Sequence, residues 1–180
     1  MNTEGILVKE RIDETTKMCE REQPVYEQIS NFSIVLYIFG YFTSPDLLSV
    51  DDVDNVEAGT ILKEHFEEIK KEDIPSDYNI TSSQDRYLLV FGDPLFPTHF
   101  AAITDMRSIR PFFSKLPFFG SGYDSLKELK MEFAGVDGQA SIDIYWYKWK
   151  RPAALKQVSA KIYTIRDDGD YEVMEYKYAN

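Results

Sequence analysis

RYLLVF at 86–91, GDPLFP at 92–97 and HFAAIT at 99–104 sit at the centre of this chain. The outer two are short apolar blocks rich in aromatic and β-branched residues. The middle one is punctuated by Gly92, Pro94 and Pro97. Such blocks around a turn read as two strands joined by a connection. Apolar residues recur every three or four positions before Arg86. After it the period is close to two. Helices followed by hairpin-linked strands make an α+β fold, with N-terminal helices packed on a C-terminal antiparallel β-meander of about five or six strands.

Downstream, residues 126–135 read as a strand, although Leu126, Leu129 and Phe133 also fit a helix turn. Asp137-Gly138 fits a tight hairpin, because the pair accepts the positive φ such turns need. Ser141–Lys150 alternates, Val158–Arg166 follows, Asp168-Gly169 gives a second hairpin signal, and Tyr171–Tyr178 is the last strand. All strands after residue 85 are expected in one sheet.

Upstream, a helix is expected from Val56 to Lys71, on the spacing of Ile61, Leu62, His65, Phe66 and Ile69. Residues 43–54 are turn-rich. Val25, Ile29, Phe32 and Leu36 suggest a helix from Pro24 to Tyr41, while Ile34–Phe39 alone also fits a buried strand. Residues 3–22 read as an amphipathic helix with Thr3 as N-cap. The expected layout is one domain over 1–180, with a helical half at 1–75 and a sheet half at 85–178. NTF2-like and cystatin-like folds share this element order. No signature residues accompany it, so order alone assigns no family.

The chain has 180 residues and a net charge of −11. Residues 1–90 hold 8 Lys and Arg against 19 Asp and Glu, whereas residues 91–180 hold 12 of each. The whole excess therefore lies in the first half. Such a half repels phosphate and attracts basic surfaces, so duplex DNA is not an expected partner and a basic protein is. The apolar run Ile34–Phe39 is far shorter than the ~20 residues that span a bilayer. One cysteine, Cys19, permits no internal disulfide, and Met1–Glu10 has no apolar export core. A cytoplasmic protein is expected.

The chemistry-bearing residues are sparse. Cys19, His65 and His99 are the only soft or borderline metal ligands, so neither zinc nor any other cofactor is expected. Cys19, in a polar helix, reads as a surface or half-buried thiol. Asp105 followed by Glu128-Leu129-Lys130 resembles a metal-nuclease arrangement. Glu-x-Lys recurs at Glu175–Lys177, however, and the acidic balance opposes it. Tyr145-Trp-Tyr-Lys-Trp-Lys-Arg151 combines stacking rings with cations, as single-strand binders do. It also fits a core strand whose end emerges into solvent.

The most unusual segment is RSIRPFFSKLPFFGSG at 107–122, in which Pro-Phe-Phe occurs twice. It reads as a proline-restricted aromatic loop. Adjacent residues in extended chain point to opposite sides, so a Phe-Phe pair does not readily bury both rings against one surface. At least one pair is therefore expected to be exposed. Arg107, Arg110, Phe112, Phe113, Lys115, Phe118 and Phe119 are the expected partner-binding residues. The expected function is that of a non-enzymatic acidic interaction protein. Inhibitors of a basic nuclease or nucleic-acid-binding complex, of immunity or anti-defence type, fit this balance. The alternative is a cone-shaped, NTF2-like small-molecule binder or enzyme. Its pocket would lie between sheet and helices, lined by residues such as Tyr147, His99 or Asp143.

Overall fold

A computed structural model describes residues 3–21, 29–42, 52–117, 119–134, 141–151, 158–165 and 171–178, the last two stretches by backbone alone. Helices α1 (Thr3–Met18), α2 (Asn31–Phe39) and α3 (Asn55–His65) precede strand β1 (Phe66–Ile69). Strands β2 (Tyr87–Phe91), β3 (His99–Ile103), β4 (Phe112–Leu116) and β5 (Gly120–Asp124) follow. Helix α4 (Leu126–Glu132) then leads to β6 (Ile144–Trp149), β7 (Val158–Ile165) and β8 (Tyr171–Tyr178).

The α+β class holds. Six strands form one antiparallel sheet in the order β1-β6-β2-β3-β4-β5, in which β2 to β5 are a meander. β6 returns to pair with β2, and β1 closes the far edge beside β6. β7 and β8 do not extend this sheet. They pair with each other, Val158 opposite Tyr178 and Ile165 opposite Tyr171. Both neighbours of β6 are already taken by β1 and β2, so β6 offers the chain that follows it no free edge. The turns expected at Asp137-Gly138 and Asp168-Gly169 lie outside the described residues.

Two local expectations change, and one open alternative is decided in favour of the helix. Residues 126–135 are not a strand: α4 starts at Ser125, whose Oγ accepts from the Glu128 N–H at 3.2 Å. The Ser125 N–H in turn donates to the Glu128 carboxylate at 2.8 Å. This reciprocal pair is a capping box, and it selects the helix that Leu126, Leu129 and Phe133 also permitted. The expected helix 56–71 stops at His65, because Phe66–Ile69 pair with Trp146–Trp149. β1 buries Phe66 and turns Glu67 and Glu68 to solvent, and edge charges of this kind discourage further strand addition. Ile34–Phe39 are helical, within an α2 that begins at Asn31. Ser30 caps it by accepting from the Ser33 N–H at 3.1 Å. Gly40, at φ 86°, ends it in the left-handed conformation that glycine adopts without steric cost.

α2 is apolar almost all round because it is buried almost all round: every residue from Phe32 to Phe39 is in the interior. It crosses β3 and β4, and Phe32 meets Phe100 edge-on at 4.7 Å. Residues alternate across β3, so His99 faces the other side, where Phe133 stacks on it at 4.6 Å and also meets Phe91. The sheet is thus covered on both faces. That coverage explains why all of β2 and β3 is buried.

Candidate interaction surface

The segment 107–122 is a β-hairpin with a polar turn before it. Thr104 donates to the Pro111 carbonyl through both N–H and Oγ, at 2.8 and 2.9 Å, which brings β3 and β4 together. Asp105 accepts from the Arg107 N–H, and Ser108 from the Arg110 N–H, which shapes the turn between them. Phe112 and Phe113 lie within β4 and are buried. Phe113 packs on Tyr123 at 5.1 Å, and Phe112 faces Trp146 at 6.0 Å. The two rings do point to opposite sides, but each side has cover. They are core, and the expectation that they form a recognition surface is corrected. Lys115 is buried as well.

The remaining expected residues are split between the two ends of β4. Arg107 and Arg110 are exposed at its start, with Ile109 88% exposed between them. Arg110 forms a two-point ion pair with Glu128, at 2.8 and 3.2 Å. The Glu128 carboxyl is held down to about 2, first by the Ser125 N–H and then by this guanidinium. Phe119 is 52% exposed beyond the other end. A five-residue strand, roughly 16 Å long, separates it from Arg110. Phe118 lies outside the described residues. Beside Arg110 an open groove of about 490 Å³ runs between Lys9 and Asp13 of α1 and Asn79, Asp105 and Tyr123 of the sheet side.

A different apolar cluster escaped the sequence reading. Val56, Leu95 and Phe96 are 55%, 63% and 56% exposed. They are neighbours because Gly59 lets α3 press against the β2–β3 turn. A Cβ at Gly59 would run into the Leu95 carbonyl oxygen. Val56 lies one turn earlier on the same helix face. The turn itself is built by Gly92 at φ 87° and by the Asp93 carboxylate, which accepts from the Leu95 N–H at 2.9 Å. Asp54 caps α3 through the Glu57 N–H at 2.8 Å. Asp54, Glu57 and Asp93 are exposed, and residues 52–60 and 92–98 contain no Lys or Arg. Acidic side chains thus flank the apolar patch along both segments, with Lys63 one turn further along α3. The legible signal was Pro94-Leu95-Phe96-Pro97, two large apolar residues held in a turn by prolines.

The other candidates resolve as structure. His99 is fully buried, both of its ring nitrogens lack a hydrogen-bond partner among the described residues, and burial pushes its pKa down to about 3. Lys115 and Arg21 push the same way, so the ring is neutral. Tyr147 lies opposite Leu88 and thus on the other face from His99, while Asp143 is exposed. The three residues expected to line a ligand pocket do not converge. Tyr145–Arg151 is chiefly strand β6, an interior strand between β1 and β2, with Lys148 paired to Asp85 at 3.2 Å. Glu128 is held by Ser125 and Arg110 on a helix, and its distance in sequence from Asp105 is not bridged by a shared ligand set. Among the described residues no three His, Cys, Asp or Glu side chains gather as a metal site. Cys19 is buried, not a surface thiol, and burial pushes its pKa up. No described helix is long and apolar enough to cross a membrane.

No family model matches the chain, and neither a curated protein nor a solved structure is found to be similar to it.

Proposed function

We propose that this chain is a non-enzymatic acidic interaction protein that docks on a basic protein partner. The observation that carries the reading is the Val56–Leu95–Phe96 patch flanked by Asp54, Glu57 and Asp93. Clustered exposed rings and aliphatic groups supply the area that binding energy needs. Flanking charges of one sign select partners of the other and speed their encounter. The first half of the chain, which carries the whole negative excess, spreads the same field over a wider surface. Blocking a basic nuclease or a nucleic-acid-binding complex is the activity that fits this chemistry, because an acidic patch competes for the surface such proteins turn towards phosphate.

The test is a capture experiment from the native host with two baits, the wild type and Leu95→Ser/Phe96→Ser. Both positions are solvent-facing, so the variant should keep its melting temperature. A basic protein retained by the wild type, lost by the variant and released by salt supports the reading. Identical captured sets from the two baits would sink it.

A further inference from the structure

A second cavity, of about 200 Å³, lies where α1, the end of α2 and the end of β6 meet. Its walls include Arg11, Arg86 and Arg151, with Glu4 as the one carboxylate. In a chain of net charge −11, three guanidiniums around one small cavity run against the composition.

Each arginine is held in place. The Arg11 guanidinium lies over the Tyr37 ring at 5.5 Å. It occupies the space Gly40 leaves, since a Cβ at Gly40 would come within 2.9 Å of its Nη1. Arg151 lies over Trp149 at 5.5 Å and donates to Glu4 at 2.9 Å. Arg86 is wholly buried, and its Nη1 donates to the Ser83, Asp85 and Ile80 carbonyls at 2.7, 2.9 and 3.3 Å. Its Nε is buried without a hydrogen-bond partner among the described residues. Arg11 and Arg86 stand in no ion pair among those residues; Glu4 is the one carboxylate in the cavity wall, and Glu14 reaches Arg11 only through the Tyr37 hydroxyl they share. Burial draws the Arg86 guanidinium below its ordinary value, and the Arg151 charge acts in the same direction. A buried cation with an idle donor is costly unless something answers it.

We propose that this cavity binds a phosphate group. Three guanidiniums and one carboxylate in the wall leave the lining net positive, which suits a phosphate of charge about −1.5 to −2 at neutral pH. Guanidiniums present paired N–H groups that match phosphate oxygens. The volume is below the ~300 Å³ at which pockets for drug-sized ligands begin, so it suits one compact anionic group better than a whole cofactor. The group arrives either as the free ion or as a monoester. This site is separate from the Val56–Leu95–Phe96 patch, and neither proposal rests on the other.

The experiment titrates the full chain with inorganic phosphate and, separately, with phosphoserine, followed by calorimetry and melting temperature, against chloride at matched ionic strength. Saturable one-to-one binding and a rise in melting temperature that chloride does not reproduce are expected. Arg11→Gln and Arg151→Gln should each weaken binding by about tenfold or more, the loss typical of one charge-assisted contact. Arg110→Gln, outside the cavity, should leave it unchanged. Arg86 is spared because its loss threatens the fold. Binding of both ligands assigns a phosphate group on an organic carrier, and binding of inorganic phosphate alone assigns the free ion. No saturable binding by the wild type, or binding undiminished in folded Arg11→Gln and Arg151→Gln, overturns the proposal.

Discussion

Gly59 and Leu95 touch so closely that no other residue fits at position 59: a Cβ there would collide with the Leu95 carbonyl oxygen. The contact fastens α3 to the β2–β3 turn and assembles the exposed patch from two distant parts of the chain. In an isolated helix, Gly→Ala stabilises by about 1 kcal/mol. Here the sign should reverse. Gly59→Ala is expected to lower stability by about 1–3 kcal/mol, the usual cost of forcing extra volume into a packed contact. Urea denaturation of the two proteins reads it, and an increase in stability would show that helix and turn are apart.

The two Pro-Phe-Phe segments should separate in mutagenesis. Phe113→Ala removes a buried ring and should cost about 3–5 kcal/mol. Phe119→Ala removes a ring that is 52% exposed and should stay within about 1 kcal/mol. Melting curves for both variants check this. Equal losses would mean that the two rings share one environment.

His99 makes the fold sensitive to mild acid. Its folded pKa is lowered by burial to about 3, against an ordinary value of 6.5. The unfolded state therefore takes up the proton first. The stabilisation is present above pH 6.5 and is lost as pH falls towards 3. Between pH 6.5 and 5, above most carboxylate titrations, the loss should be roughly 2 kcal/mol. His99→Leu removes the titrating group and should flatten that part of the profile. Parallel profiles for wild type and variant would exclude His99 as the source.

The Ser125–Glu128 capping box predicts a local effect. Ser125→Ala should cost about 1 kcal/mol by releasing the first turn of α4. Amide exchange within residues 126–132 should rise while that of β2 stays slow. Unchanged exchange in α4 would mean that Phe133 and Leu129 hold the helix without its cap.

The architecture was largely legible, because periodicity and turn residues report on local geometry. Leu126–Phe133 fitted both periods, and the Ser125–Glu128 cap that decides between them was not part of that reading, nor was Gly40 as the stop of α2. β1 was hidden because Phe66 and Ile69 keep helical spacing with Leu62, and only the edge of β6 makes them a strand. The surface was much less legible. Whether Phe112 and Phe113 are core depends on both faces of the sheet being covered, which no local pattern states. The patch requires Gly59 and Leu95 to meet, a contact between backbone and a missing side chain that leaves no mark in hydropathy. The arginine cavity joins residues 11, 86 and 151 in the same hidden way: stacking on Tyr37 and Trp149 places Arg11 and Arg151, backbone carbonyls place Arg86, and charge composition hides all three.

Photocrosslinking tests the central claim most directly. A photoreactive amino acid is placed singly at position 96, 109 or 119, each exposed in the fold, and each protein is irradiated in the native host. The account predicts a crosslink from position 96 to a basic protein, weakened when Asp54 and Asp93 are both changed to Asn, and little from position 119. Crosslinks from 109 or 119 with none from 96, or a crosslinked partner that is acidic, would contradict it.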